Sequence, residues 1–222
     1  MTELSPISLP WDKIDTVLLD MDGTLLDLHF DNYFWAEYIP VVYAEKHLIE
    51  LDKSRRLVAQ YSDEVLGTLN WYNLDYWSNK LDLDIPMLKH QVAHKIAFRP
   101  SAEDFLKLLK GKNKQVILAT NAHPKALELK SLRAEFKQYF DHLSSSYDLG
   151  FPKEEQQYWH VLTQRYSLNP NRCLFIDDSV RILHSASKFG IEYLLGIAQP
   201  DSQRKAHDCS PFTGIHNFSQ LF

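Results

Sequence analysis

The chain has 222 residues, of which 45% are apolar and 24% are charged, and it contains only 7 glycines. This length suits one full domain with a smaller addition, and the composition excludes a disordered or collagen-like chain. The net charge of -5 argues against a nucleic acid as the usual partner, because binding to phosphate backbones draws on a surplus of lysine and arginine.

The N-terminal segment and the cysteines indicate the compartment. The first 15 residues lack the basic start and the apolar stretch of a secretion signal, and no apolar run reaches the roughly 18 residues of a membrane span. Only Cys173 and Cys209 occur, which argues against a disulfide framework, and Cys173 lies in an apolar run where a buried, unreactive thiol is expected. We therefore expect a soluble cytoplasmic protein with no membrane partner.

Five short segments rich in β-branched and aromatic residues are predicted as strands. They are Thr16 to Asp20, Gln115 to Thr120, His142 to Ser146, Cys173 to Asp177 and Glu192 to Ile197. Amphipathic segments of helical length separate the later four strands: Pro124 to Phe136, Glu154 to Tyr166, and Ser179 to Phe189 with Gly190 as its cap. This alternation predicts an α/β fold with a doubly wound parallel sheet that is covered by helices on both faces.

The first two strands are separated by about 95 residues, too many for a simple crossover. Their patterns are helical: from about Asn32 with a break at Pro40, then Asp52 to Leu69, Trp71 to Lys80, and Asp84 to Ile96. A further helix, Ala102 to Lys110, returns the chain to the sheet. We predict a helical cap domain of residues 28–98 inserted into a core formed by residues 1–27 and 99–222.

Polar side chains follow the first four predicted strands. They are Asp20 and Asp22, then Thr120 and Asn121, then Lys153, and finally Asp177 and Asp178. Ligands of doubly wound sheets bind at the carboxyl ends of the strands, so these side chains should share one crevice.

The chemistry of this crevice indicates phosphoryl transfer. Four neighbouring carboxylates would raise each other's pKa values unless a cation compensated their charge, and oxygen ligands suit a hard ion such as Mg²⁺. Such a magnesium ion usually completes its shell with water and a substrate phosphate. Lys153 adds a second positive charge that a phosphoryl group can use.

The segment Asp20-Met-Asp-Gly-Thr-Leu-Leu-Asp27 resembles the first motif of the haloacid dehalogenase (HAD) superfamily, DxDGTLxD. The other motifs follow in order: Thr120-Asn121 at the end of an apolar strand, Lys153 in Gly-Phe-Pro-Lys, and Phe175-Ile-Asp-Asp-Ser179. The resemblance covers the whole chain, and it implies a Rossmann-type core with a helical cap inserted after the first motif.

The resemblance also implies a role for each motif residue. Asp20 would attack phosphorus to form an aspartyl phosphate, and Asp22 would protonate the leaving oxygen and then deprotonate the hydrolytic water. Contacts to the phosphoryl oxygens would come from Gly23, Thr24, Thr120, Asn121 and Lys153. Ligands of Mg²⁺ would be the Asp20 carboxylate, the Asp22 backbone carbonyl and the Asp178 carboxylate, with Asp177 behind them.

Each residue also has a simpler interpretation. Asp20 and Asp22 could form an ordinary Asx turn, Asp177 to Ser179 could cap a helix, and Lys153 alone could be a surface lysine. Their combination favours catalysis. Asp22 further favours a phosphatase over a dehalogenase, because cleavage of a carbon–halogen bond needs no acid for an alcohol leaving group.

Four segments resemble the bacterial purine 5'-nucleotidase branch of the superfamily, which hydrolyses GMP and IMP. They are Asp31 to Trp35, Leu69 to Trp77, Thr120 to Pro124 and Phe151 to Glu155. The expected substrate is therefore a purine nucleoside monophosphate. The alternatives are a phosphatase or mutase for a sugar phosphate or phosphoglycolate, and a binding protein that keeps the fold without turnover.

A purine could be recognised by the segment from Leu69 to Leu81, taken as one helix. Trp71 would then lie with Asp75 on the polar face of this helix, away from an aromatic stripe that suits the cap core. We expect Trp71 to stack on the base and Asp75 to accept a hydrogen bond from the purine N1–H. The alternative is a partly covered surface tryptophan at the seam between cap and core.

Overall fold

The computed structural model describes residues 5–222. Its core is a six-stranded sheet in the order β3-β2-β1-β4-β5-β6, and every neighbouring pair is parallel. The strands are β1 (Thr16–Leu19), β2 (Gln115–Thr120), β3 (His142–Ser145), β4 (Cys173–Asp177), β5 (Tyr193–Ile197) and β6 (Thr213–Ile215). The predicted parallel α/β sheet is confirmed, although β6 was not predicted.

The central strands are buried on both faces, as a helix-covered parallel sheet requires. All four residues of β1 and all five of β4 are buried. Successive residues of a strand face opposite sides, so Val17 and Leu19 join one apolar cluster and Leu18 joins another. The chain order of the strands reverses between β1 and β4, and this reversal creates a crevice at their carboxyl ends.

Six helices follow β1 within the predicted insertion. They are α1 (His29–Tyr33), α2 (Ile39–His47), α3 (Leu51–Val65), α4 (Leu69–Tyr72), α5 (Leu74–Leu81) and α6 (Ile85–Gln91), followed by a short 3-10 turn at Ala93–Lys95. The remaining helices are α7 (Ala102–Gly111), α8 (Pro124–Ala134), α9 (Ser146–Leu149), α10 (Gln156–Arg165) and α11 (Val180–Phe189). The division into cap and core at residues 28–98 stays a prediction.

The predicted helix break at Pro40 is not observed. A π-helical turn, Phe34–Tyr38, joins α1 to α2, and the helical run continues past Pro40. Proline lacks an N–H and its ring crowds the preceding turn, and the wider π turn relieves both constraints without ending the helix.

The predicted single helix from Leu69 to Leu81 is also wrong, because the chain breaks at Asn73. Asn73 has an extended backbone, and its side chain accepts hydrogen bonds from the N–H groups of Asp75 (2.9 Å) and Tyr76 (3.1 Å). It therefore begins α5 as an N-cap, a position that asparagine favours. The break changes the direction of Trp71 relative to Asp75, so a common helical face no longer joins them.

The inserted helices leave and rejoin the core at one place. Leu26 forms an antiparallel bridge with Phe98, Asp27 N–H donates to the Ala97 carbonyl (2.9 Å), and Arg99 N–H donates to the Leu25 carbonyl (2.8 Å). The segment that carries Asp20 and Asp22 is thus tied directly to the base of the insertion.

The segment after β5 packs on the rest of the chain. Asp201 is buried and accepts a hydrogen bond from Asn32 Nδ2 (2.7 Å), and the Phe218 ring stacks on Phe105 with centroids 4.9 Å apart. Cys173 is buried and free, as predicted, and Cys209 is buried as well. None of the helices formed by residues 5–222 is both long and apolar enough to cross a bilayer, and the cytoplasmic location stays a prediction.

Candidate active site

The centre of the site is an ion triplet at the sheet's reversal point. Asp20 directly follows β1 and Asp177 ends the adjacent β4, so the backbone pairing of these strands brings the two carboxylates together. Lys153 bridges them, with its Nζ 2.5 Å from Asp20 Oδ1 and 2.6 Å from Asp177 Oδ2. All three side chains are buried. The crevice predicted from the strand ends therefore contains these three residues.

Negative charge in this crevice is only partly compensated. Burial raises the pKa of Asp20 to about 7 against the opposing effect of Lys153, and the carboxylates of Asp177 and Asp22 raise it further. Burial, reinforced by Asp177 and Asp20, also holds the pKa of Asp178 well above its usual range. Lys153 carries one positive charge, which is too little to compensate Asp20, Asp177 and Asp178 together. The site therefore has the electrostatic character of a cation site.

Asp178 is the carboxylate best placed to ligate such a cation. Both Asp177 oxygens are occupied, since Oδ1 accepts from Ser179 N–H (2.8 Å) and Oδ2 accepts from Lys153. Asp178 accepts no hydrogen bond from another residue in the described range. A side chain on Gly23 would place its Cβ 2.5 Å from Asp178 Oδ2, and the Gly23 φ of +81° favours glycine as well.

The donor set fits Mg²⁺ bound by few protein ligands. Within residues 5–222, no three acidic, histidine or cysteine side chains form a ready-made metal cage. Mg²⁺ commonly binds one or two carboxylates and completes its shell with water and phosphate oxygens. Asp20 and Asp178, with the Asp22 backbone carbonyl, match that pattern in number and chemistry.

Thr120 and Asn121 organise the loop beside the triplet. Thr120 Oγ1 accepts from Ala122 N–H (3.0 Å), which leaves its own proton free to donate. Asn121 Oδ1 accepts from Lys153 N–H (2.9 Å), while Asn121 Nδ2 donates one of its two hydrogens to Glu154 (3.0 Å). Asn121 therefore fixes the backbone of Lys153 beside the triplet.

Gly23 and Thr24 form the turn after Asp22. Gly23 N–H donates to the Leu26 carbonyl (2.8 Å), so it is not a free donor for a phosphoryl group. Gly23 instead lets a ligand come close to the backbone, because it has no side chain. Thr24 is fully buried, and its Oγ1 has no hydrogen-bond partner within residues 5–222. A buried hydroxyl without a partner is uncommon and is compatible with a bound group.

A second group of charges links this turn to the inserted helices. Lys130 Nζ in α8 lies 2.6 Å from Asp22 Oδ1 and 2.6 Å from Asp31 Oδ2, and Lys89 Nζ in α6 lies 2.7 Å from Asp31 Oδ1. Both lysines are almost completely buried. We call Asp22, Asp31, Lys89 and Lys130 the seam cluster, because it joins core elements to inserted ones.

A cavity of about 410 Å³ opens beside the seam cluster. Asp22 lines it, whereas Asp20 and Lys153 do not, so Asp22 marks the junction between the ion triplet and the cavity. Aromatic residues of the inserted helices form much of its wall: Trp35, Trp71, Tyr72 and Trp77. This shape provides a polar end for reaction and an apolar space for the rest of a substrate.

The two residues expected to recognise a base have different environments. Trp71 is half-buried and lines the cavity. Asp75 is exposed, does not line the cavity, and pairs with Lys125 at 2.6 Å. His123 lies between these groups, since it lines the cavity and its Nε2 is 3.9 Å from Asp75 Oδ2.

Residues 14–190 match the profile of the haloacid dehalogenase-like hydrolases, which is most of the chain. The chain belongs to this family. Its membership confirms the resemblance carried by the four motifs and the expectation that the protein is an enzyme of the hydrolase class.

Other members of the family are similar over nearly the full length. The chain is 44% identical over 196 residues to the GMP/IMP nucleotidase YrfG of Escherichia coli (strain K12), covering 88% of each chain. The HAD phosphatase of Thermococcus onnurineus has the same fold, with a TM-score of 0.79 at 19% identity over 93% of this chain and 95% of that one. The L-2-haloacid dehalogenase of Xanthobacter autotrophicus shares the fold at a TM-score of 0.59 and 17% identity, covering 86% and 80% of the two chains.

The four family motifs pointed to the ion triplet but not to the seam cluster beyond Asp22. Lys130 and Lys89 look like surface lysines, since lysine is rarely buried. Helical spacing was the available signal: Lys130 lies four residues after buried Ala126, and Lys89 lies four after buried Ile85. Each lysine is thus on the buried face of its helix, where a charge implies a partner.

Proposed function

We propose that this chain is a phosphomonoesterase that forms an aspartyl phosphate on Asp20, and that purine 5'-monophosphates such as GMP and IMP are its substrates. One observation carries the proposal: the buried Asp20–Lys153–Asp177 triplet lies next to Asp22, which lines an aromatic cavity. A nucleophile, a proton donor and a space for a nucleobase thereby adjoin.

In the first displacement, an Asp20 carboxylate oxygen attacks phosphorus and the bond from phosphorus to the ester oxygen breaks. Asp22 gives a proton to the departing alkoxide, which leaves as the nucleoside. Lys153 offsets the negative charge on the phosphoryl oxygens, and the Thr120 hydroxyl and the Asn121 amide orient them.

In the second displacement, Asp22 removes a proton from a water molecule that attacks the phosphorus of the aspartyl phosphate. Inorganic phosphate leaves and Asp20 is regenerated as a carboxylate. Bound Mg²⁺ would supply positive charge beside the phosphoryl group, held by Asp20, the Asp22 backbone carbonyl and Asp178. Asp177 would not bind the ion directly and would instead hold Lys153 in place through their ion pair.

The substrate assignment is supported by the relative and by the cavity. The E. coli relative is named as a GMP/IMP nucleotidase, and the aromatic wall of the cavity suits a flat base that stacks. The test is phosphate release from GMP, IMP, AMP, a hexose phosphate and phosphoglycolate, each with and without Mg²⁺. We expect GMP and IMP to give the highest kcat/KM; a preference for the sugar phosphate or phosphoglycolate would assign the site to that class instead.

Trp71→Ala is expected to raise KM for GMP and IMP by about tenfold or more and to leave kcat within about twofold. Stacking of a base on an aromatic ring is worth about 1 to 3 kcal/mol, and this contact is made equally in the ground state and the transition state. Steady-state kinetics on both nucleotides measure the effect. Trp71→Phe should keep most of the affinity, and Trp11→Ala, which removes a tryptophan outside the cavity lining, should not change KM. An unchanged KM for GMP in Trp71→Ala would remove Trp71 from the base site.

Asp75→Asn tests whether this exposed carboxylate reads the purine. Its partner Lys125 competes for it, so Asp75 would have to leave that ion pair to accept the N1–H of GMP or IMP, a proton that AMP lacks. We expect Asp75→Asn to narrow the kcat/KM preference for GMP over AMP, and the control Lys125→Gln, which frees Asp75, not to narrow it. Equal losses on GMP and AMP would leave Asp75 without a role in base recognition.

A further inference from the structure

Lys130 occupies an unusual position for a lysine of a core helix. Its side chain is 2% exposed, and its ammonium group contacts two carboxylates, one from the turn after β1 and one from the insertion. The Phe30 ring lies 5.3 Å from Lys130 Nζ and 4.8 Å from Lys89 Nζ, so part of the cluster's surroundings is apolar. Removing an ammonium group from water costs free energy, and its ion pairs often only offset this cost. A buried lysine in this position is therefore a candidate for a functional role.

The contacts of Asp22 are asymmetric. Oδ1 accepts the hydrogen bond from Lys130, whereas Oδ2 accepts none within the described part of the chain. A carboxyl group can keep one oxygen as the acceptor of an ammonium hydrogen bond while the other oxygen carries a proton. The Lys130 contact therefore selects Oδ2 as the oxygen that exchanges a proton with the reacting groups.

Lys130 is itself held from the side of the inserted helices. Asp31 in α1 accepts from Lys130 through Oδ2 and from Lys89 through Oδ1. The seam cluster is thus a chain of ion pairs in which acids and lysines alternate, from Asp22 through Lys130 and Asp31 to Lys89. Its two negative and two positive charges balance. The orientation of Asp22 depends in this way on where the insertion places Asp31.

We propose that Lys130 is a positioning residue for the general acid and base Asp22, and that Asp31 and Lys89 hold Lys130 in place. This inference rests on the proposed function, because it assumes that Asp22 transfers the proton to the leaving oxygen. Lys130 pairs with Asp22 and Asp31 and not with the nucleophile Asp20. We therefore expect its effect to be confined to steps in which Asp22 moves a proton.

Leaving-group dependence separates this role from a merely structural one. An alkoxide must be protonated as it departs, whereas p-nitrophenolate leaves without a proton, and kcat/KM reports only the steps through the first displacement. Lys130→Met should lower kcat/KM for GMP by about 100-fold, the effect of misplacing a catalytic group by about 1 Å, and change it by less than about threefold for p-nitrophenyl phosphate. Along a series of substituted phenyl phosphates, the dependence on leaving-group basicity should become steeper.

Matched variants make the result specific. Lys114→Met removes another lysine, which binds the backbone carbonyls of Trp11 and Ile14 outside the site, and should leave the leaving-group dependence unchanged. Lys130→Arg keeps a cationic donor and should recover part of the loss on GMP. If Lys130→Met does not fold, Lys130→Met/Asp31→Asn removes one charge of each sign and should show the same steeper dependence.

The two levels of the proposal fail differently. If Asp22→Asn does not steepen the leaving-group dependence, Asp22 is not the acid and the proposed mechanism itself is wrong. If Asp22→Asn steepens it but Lys130→Met and the double variant lower kcat/KM equally for all substrates, or not at all, Lys130 does not position Asp22 and only this inference is overturned.

Discussion

Asp20→Asn is expected to lower turnover of GMP by at least about a thousandfold while the protein stays folded. An amide oxygen is a poor nucleophile, and no other carboxylate shares the position of Asp20 between β1 and Lys153. The replacement is nearly isosteric, and Lys153 keeps its bond to Asp177. Turnover and the midpoint of thermal unfolding are measured on the same protein preparation. The unfolding midpoint should stay within about 5 °C of the wild type.

The matched control for this loss is Asp15→Asn. Asp15 lies just before β1, is exposed, and pairs with Arg172 outside the crevice, so its replacement should leave turnover unchanged. Asp20→Asn that retains more than about 1% of wild-type turnover, with deamidation excluded by mass spectrometry, contradicts covalent catalysis by Asp20.

Removal of divalent metal should abolish turnover, and Mg²⁺ should restore it. Burial and the neighbouring carboxylates raise the pKa values of Asp20 and Asp178, and only an ionised Asp20 can attack phosphorus. The protein should remain folded in chelator, because binding at tenfold excess over Kd stabilises a preformed site by only about 1.4 kcal/mol. Ca²⁺ should support little activity, since its longer and looser coordination misplaces the phosphoryl group.

Phosphate release and thermal unfolding in excess EDTA, followed by titration with Mg²⁺, measure both expectations. Asp178→Asn is the informative variant: it should need a higher Mg²⁺ concentration for half-maximal activity. Full turnover in excess EDTA would exclude a required metal, and unfolding in EDTA would make the ion a structural element instead.

The sheet could be predicted because its strands are short, apolar and separated by amphipathic helices. β6 could not: it has three residues, Thr213–Ile215, includes a glycine, and forms only by pairing with β5. The helix break at Asn73 was missed, although an asparagine before an apolar helical run is a known start signal. At Pro40 the error is the reverse, because a break was predicted where the helical run continues after a π turn.

The candidate site was predictable where its residues are adjacent in sequence to strand ends. Asp20 and Asp177 meet because the pairing of β1 with β4 dictates it. Lys153 reaches both carboxylates from the loop after α9. The seam cluster depends on how the insertion packs against α8, which no local pattern specifies. Asp75 illustrates the same limit, since no local pattern predicted its ion pair with Lys125, and its contact with the base stays a prediction.

The covalent intermediate on Asp20 can be measured directly. Wild-type protein is mixed with Mg²⁺ and GMP carrying radiolabelled phosphate, quenched in acid during turnover, and digested. We expect label on the peptide that contains Asp20, released by hydroxylamine as an acyl phosphate is, and no label in Asp20→Asn. Label absent from the protein at every time point while GMP is being hydrolysed, or label on a peptide without Asp20, would contradict catalysis through an aspartyl phosphate at this residue.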